Sequence, residues 1–238
     1  MDAGNIDIGT GLIWFVAFLF STTVHEAMHA LVAWRLGDST AYNGGQVSLN
    51  PAAHVQREPI GMVVLPLLTS LTQGWAIGWA SCPYDPYWAR RYPGRAALMA
   101  AAGPAGNLLI ALAAFGVLRI GLVAGWFVAP DSVNFDSIAE LAGHPGPAFV
   151  TTLLSVLLVM NVFLCAFNLL PLPPLDGAAV LNGFLPERHA VKLMDLQSNA
   201  MMSMVGLVIA WRVFPFVTHP LFSALLRLVH PLDSYGPN

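Results

Sequence analysis

Long apolar runs separated by short polar breaks dominate the chain, and few stretches show a one-sided amphipathic period. The first run covers residues 11–36. It exceeds the ~20 residues a helix needs to cross a bilayer core, and Gly37-Asp38 stops it. Residues 40–50 set turn residues around a short alternating stretch, which predicts a β-hairpin. The second run, residues 59–80, is interrupted by Pro66, Gln73, Gly74 and Gly78. Residues 96–128 and 149–170 form two further long runs, and residues 200–216 and 220–229 close the chain as a helix and a shorter segment. Between them, residues 168–177 carry prolines at 171, 173 and 174. Proline lacks the backbone donor and disfavours helix in the residue before it, so the backbone there is extended or unwound. At membrane depth such backbone is tolerated only around a cavity or a site. A short helix over 178–185 and a polar stretch over 187–199 follow.

The expected fold is therefore an all-α polytopic membrane protein of about five to six hydrophobic segments. A short β-hairpin lies between the first two, and a Pro-broken helix stands near the candidate site. One domain spans residues 1–238, with a core over about 11–185 and C-terminal hydrophobic segments over about 200–230.

Composition agrees. Of 238 residues, 56% are hydrophobic and only 10% charged, whereas soluble domains carry about a quarter charged residues. The lipid bilayer is thus the first partner, and the chain is a multi-pass protein of the cell membrane. A net charge of -3 with only 10 Lys+Arg offers no patch for nucleic acid. Cys82 and Cys165 are too far apart in sequence to suggest a metal knuckle or a disulfide framework. The leader, residues 1–10, has no basic residue and does not form a signal peptide.

Arginine positions set an orientation. Arg35 ends the first run, and Arg90, Arg91 and Arg95 crowd the loop after the second, which makes both ends cytoplasmic. Residues 130–147 hold Asp131, Asp136 and Glu140 without Lys or Arg, and are external. Residues 59–80 then have both flanks on one side, so they are expected to enter and leave as a hairpin.

Chemistry concentrates in His25-Glu26-Ala27-Met28-His29. A helix advances ~100° per residue, so the two imidazoles lie only ~40° apart on one face and can grip one metal ion. Glu26 beside them can take a proton from a water polarised by that metal. An ionisable triplet inside an apolar helix is expensive unless something binds it. A catalytic zinc site needs a third protein ligand. Asp176, just after the proline break, is the leading candidate; the alternative is an ordinary N-cap for the helix after it. His54 is a rival third ligand or a supporting group, set against a plain surface histidine in a polar turn. His144, His189, His219 and His230 read as solvated. Asn107 and Asn168 either cap helices and bond between them, or hold a substrate backbone in register.

These residues resemble the site-2 protease family of intramembrane zinc metalloproteases. The likeness rests on His25-Glu26-Ala-Met-His29, on Asn168-Leu-Leu-Pro-Leu-Pro-Pro-Leu-Asp176-Gly177, and on Gly103-Pro104-Ala-Gly-Asn107. Val47-Ser-Leu-Asn50-Pro51-Ala-Ala-His54 and Arg35-Leu-Gly-Asp38 are similar to the bacterial and archaeal branch without a PDZ domain. After His54 the related proteins run into an Asp-Pro pair, whereas here Val55-Gln56-Arg57-Glu58-Pro59 intervenes.

The resemblance implies one zinc ion held by His25, His29 and Asp176, with Glu26 as general base. It also implies a site toward the cytoplasmic side, and Asn168 pairing with an extended substrate strand; for Asn107 it implies a less defined role in substrate binding. The implied substrates are transmembrane proteins. Without a PDZ module, control falls to a regulatory membrane partner or to prior trimming. The rival reading is a non-proteolytic metal-binding membrane protein or transporter. Transporters often show paired broken helices in two related halves, and no such symmetry appears here.

Overall fold

The computed structural model describes residues 7–144 and 146–231. Helix α1 (Ile8–Arg35) carries the first apolar run. Asp7 starts it by accepting from the Gly9 and Thr10 amides at 3.0 and 3.2 Å. Gly37, at φ +104°, turns the chain out of it, and the Arg95 guanidinium donates to the exposed Leu36 carbonyl at 3.1 Å.

Residues 40–50 do not form the expected hairpin. Asp38 accepts from the Thr40 amide and hydroxyl at 2.9 and 2.6 Å, which opens a single helical turn, α2 (Thr40–Asn43). Asn50 accepts from the Ala52 amide at 3.0 Å ahead of Pro51 and opens α3 (Pro51–Val55). Asn50 caps α3 and Asp38 bonds locally to Thr40 just ahead of α2, competing uses of these side chains that alternation does not reveal.

The second run does double back. A π-helical turn (Ile60–Val64) leads into α4 (Leu65–Gln73). The widening falls just where Pro66 cannot donate to the preceding turn. Gly74, at φ +76°, ends α4, and residues 76–82 return without helix or strand. The Trp79 amide donates to the Gly61 carbonyl at 3.0 Å. The Ile77 amide donates to the Thr69 hydroxyl at 2.9 Å, and the Ser81 hydroxyl to Glu58 at 2.6 Å. A Cβ on Gly78 would overlap the Gly61 carbonyl. The two ends of the segment thus meet, as the arginine distribution requires.

Helices α5 (Pro86–Arg91) and α6 (Pro93–Val123) follow. Then β1 (Phe127–Val128) pairs antiparallel with β2 (Glu140–Leu141), Phe127 opposite Leu141. This is the only sheet among the described residues, and it lies far from the expected hairpin. Helices α7 (Phe149–Asn168), α8 (Asp176–Asn182) and α9 (Glu187–Gln197) lead to α10 (Ala200–Val229). The two C-terminal segments expected over 200–216 and 220–229 are one helix. Pro215 and Pro220 lie inside it, and each removes one backbone bond, too few to end a helix of 30 residues.

Among the described residues four helices, α1, α6, α7 and α10, are long and apolar enough to cross a membrane, and the stretch Ile60–Gln73 is a shorter apolar one. The chain is a multi-pass membrane protein. Small residues bring the central trio α1, α6 and α7 together: a Cβ on Gly106 of α6 would come within 3.0 Å of Met28 on α1. Trp14 and Phe18 of α1 pack on Val156 and Met160 of α7. At one end of the bundle Leu118, Phe127, Ile138, Val159 and Leu226 form a second apolar cluster. Helix α10 is peripheral. It meets the proline break where Gly206 faces the Pro173 carbonyl, and its Phe214 stands edge-on to Phe167 at 4.9 Å.

Candidate metal centre

His25 and His29 project from α1 toward α6, into space left by Gly103. A Cβ on Gly103 would overlap His29 Nε2 and lie 2.6 Å from His25 Nε2. Both rings are buried; they stand edge to face, with centroids 4.6 Å apart and Nε2 atoms 3.0 Å apart. Asp176 arrives from the proline break. Gly177 sits against the Leu169 carbonyl so tightly that a Cβ would overlap it, and this close turn starts α8 with its first residue facing α1. Asp176 Oδ2 lies 3.1 Å from His25 Nε2 and 3.3 Å from His29 Nε2. Asp176 makes no capping bond to α8, whose N-cap is Leu175. The three ligand atoms lie within 4.8 Å of one another.

Neighbouring groups fix the histidine protons. His29 Nδ1 is 2.8 Å from the Met99 carbonyl, which can only accept, so Nδ1 carries the proton. His25 Nδ1 is 2.6 Å from Asn107 Oδ1. The Asn107 amide nitrogen is committed elsewhere, to Asn161 Oδ1 at 2.8 Å and the Ser21 carbonyl at 3.4 Å. In their neutral forms both imidazoles then turn an Nε2 lone pair toward Asp176 Oδ2, which lies 3.1 and 3.3 Å away and has no other hydrogen-bond donor among the described residues. Two lone pairs and a carboxylate oxygen at this spacing repel unless a proton or a metal cation lies among them. Two imidazoles, each held from behind, and one carboxylate form a donor set that suits a zinc ion.

Glu26 is buried beside the cluster. Among the described residues no donor bonds its carboxylate, which is left uncommitted.

The other candidates separate. Asn107, expected either to bond between helices or to hold a substrate backbone, is 0% exposed, with Oδ1 2.6 Å from His25 Nδ1 and its amide nitrogen 2.8 Å from Asn161 Oδ1. Asn168 is half-buried at the end of α7, its amide nitrogen donating to the Leu164 carbonyl at 3.0 Å. His54 is not on the surface: it is buried, with Nε2 2.9 Å from the Ser48 carbonyl, and stands outside the ligand cluster. His230, expected to be solvated, is buried with Nε2 2.8 Å from the Ile138 carbonyl. Asn161, Ser21 and the Met99 carbonyl were not anticipated as supports. For Asn161 a signal existed: a lone amide in the middle of an apolar run must find a partner.

Comparison with known proteins agrees with this geometry. The sequence model of Peptidase family M50 matches residues 13–213, most of the chain. The chain is 30% identical over 185 residues to "Putative zinc metalloprotease YwhC" of Bacillus subtilis, across 77% of this chain and 74% of that protein. It is 29% identical over 181 residues to "Putative zinc metalloprotease Rip2" of Mycolicibacterium smegmatis, across 76% of this chain and 60% of the relative. The protein of the same name from Mycobacterium tuberculosis is 28% identical over 202 residues, across 85% and 68% of the two chains. No solved structure matches. A family match that runs from α1 into α10, over a buried cluster of two histidines and an aspartate, has one consequence: the chain belongs to Peptidase family M50, the site-2 protease family of zinc metalloproteases.

Proposed function

We propose that this chain is an endopeptidase that cuts peptide bonds in or near the transmembrane segments of other membrane proteins. One observation carries the reading: two Nε2 lone pairs and a carboxylate converge, without a donor of their own, beside the uncommitted Glu26 and between helices long enough to span a bilayer. His25, His29 and Asp176 hold one zinc ion. When bound, the ion acidifies water and polarises a carbonyl. Glu26 takes the proton of the attacking water and later delivers it to the amine as the C–N bond breaks. Asn107 and the Met99 carbonyl hold the Nδ1 protons and aim the two imidazoles.

A helical substrate hides its peptide bonds and must be drawn out as a strand. Residues 76–82 offer an edge for it in place of residues 40–50. Only the Ile77 and Trp79 amides are bonded there, and none of the seven carbonyls accepts a hydrogen bond from the described protein. An extended peptide can pair along such an edge. Asn168, whose amide oxygen accepts no bond among the described residues, steadies the strand from the other side. The arginine distribution sets the centre toward the cytoplasmic end of the bundle, and a membrane partner controls access.

The test is Glu26→Gln in a cell co-expressing a single-pass substrate. Cleavage should fall by about 10²–10⁴ while the purified protein keeps stoichiometric zinc. Unchanged cleavage sinks the reading, and zinc flux into proteoliposomes without proteolysis replaces it with the transporter.

A further inference from the structure

Behind His25 runs a chain of amides with a fixed direction. It begins at the Leu157 carbonyl of α7, which can only accept. The Asn161 amide nitrogen lies 2.8 Å from that carbonyl and 2.9 Å from the Ser21 hydroxyl, so this end of Asn161 must carry the hydrogens. Its Oδ1 is thereby turned to Asn107, whose amide nitrogen donates to it at 2.8 Å. That leaves Asn107 Oδ1 for the His25 Nδ1–H at 2.6 Å. The last link is a lone pair at His25 Nε2.

We propose that Asn161 is a positioning residue: through Asn107 it selects the tautomer in which His25 can bind a metal. The inference rests on the zinc reading above. Asn161 touches neither the ligand cluster nor Glu26. Its action is to forbid one rotation. With the Asn107 amide turned over, an NH₂ group would face His25 Nδ1. The imidazole would then carry its proton on Nε2, pointing at His29 and Asp176, and could not ligate from that atom. Asn107, Asn161 and Ser21 are all 0% exposed, so no bulk water can repair the reversed pattern. His29 needs no such relay, because a backbone carbonyl holds its Nδ1 directly.

The test is a double-mutant cycle on the full-length protein in lipid nanodiscs, reading the zinc Kd by competition with a fluorescent chelator. Asn161→Leu removes the nearer of the two acceptors that orient Asn107, at 2.8 Å against 3.4 Å for the Ser21 carbonyl, and Kd should rise about 10–100-fold, the usual loss for a support behind a metal ligand. Asn107→Asp has no donor end and needs no orienting. In that background Asn161→Leu should no longer weaken zinc binding, whereas a merely structural role would weaken it equally in both. Asn161→Ala, which adds no bulk, completes the same cycle if the leucine variant does not fold. Equal losses in the two backgrounds, or no loss in either, overturn the relay. A wild-type protein that binds no zinc overturns the metal reading itself, and the relay with it.

Discussion

The two sides of the proposed metal centre reach the same point by different means. His25 and His29 ride on a helix of 28 residues, and a group on α6 holds the back of each ring. Asp176 rides on a helix of seven residues reached through the proline break. Among the described residues its carboxylate meets only the two histidines. What locates α8 is close approach at two glycines, Gly177 against the Leu169 carbonyl and Gly183 against the Ala97 side chain, with the Asn182 amide donating to the Gln197 side chain of α9 at 3.1 Å. One side is specified by hydrogen bonds that choose a proton position, the other by the absence of side chains at two glycines. Ligand loss should therefore cost the same on either side, but loss of support should not.

The largest effect tests the first half of that statement. His29→Ala and Asp176→Ala should each bring zinc from one per chain to less than about a tenth, since two ligands do not hold the ion. Metal analysis of the purified variants checks it. An Asp176→Ala protein that keeps its zinc would mean that the short-helix side contributes no ligand.

The second half is tested by two alanines that replace no ligand. A methyl at Gly103 enters the space where the donors converge, so Gly103→Ala should weaken zinc binding by about 100-fold or more, the upper end for changes around a metal site. Gly177→Ala displaces Asp176 alone and should cost about 10-fold. The order of the two dissociation constants is the measurement. If Gly177→Ala proves the worse, the aspartate side is the more exacting one.

The smallest effect lies at the far end of the histidine helix. Hydrogen bonds from Thr10 and Gly9 hold the Asp7 carboxyl below its ordinary value. A carboxylate whose folded pKa is depressed contributes stability above the unfolded pKa, and that contribution fades as pH falls through the folded one. Melting temperature in nanodiscs should thus drop slightly between pH 6 and pH 3, and Asp7→Asn should flatten that drop without moving the zinc Kd. A change in Kd would mean that the start of α1 and the metal centre are coupled.

Much of this was legible in the sequence because it is local or cumulative. Apolar length announced α1, α6 and α7, and the i, i+4 spacing of His25 and His29 fixes their face whatever the fold. The arginine distribution required residues 59–80 to double back. What escaped depends on distant partners. Asn107 bonds to residues 54 and 86 positions away, so nothing near it in the chain distinguishes a substrate contact from a histidine support. The strand pair expected over 40–50 failed for the opposite reason. Asp38 and Asn50 found partners two residues away, closer than any strand. The two C-terminal segments fused because two missing backbone bonds are a small defect in a helix held by its length and apolar surroundings.

The return of residues 76–82 bears on how the proposed reaction would be supplied. It runs from the Phe18 ring, against which Gly78 lies, to the cluster of Ala33, Trp88 and Met99 that Cys82 joins. It therefore passes the turn of α1 that carries the histidines. Its carbonyls have no partner in the described protein, and backbone without a partner holds water. Every peptide bond cut consumes one water molecule, a reactant that hydrocarbon scarcely dissolves. Under the proposed function the same unpaired carbonyls that would seat a strand would also carry water toward Glu26 before the strand arrives.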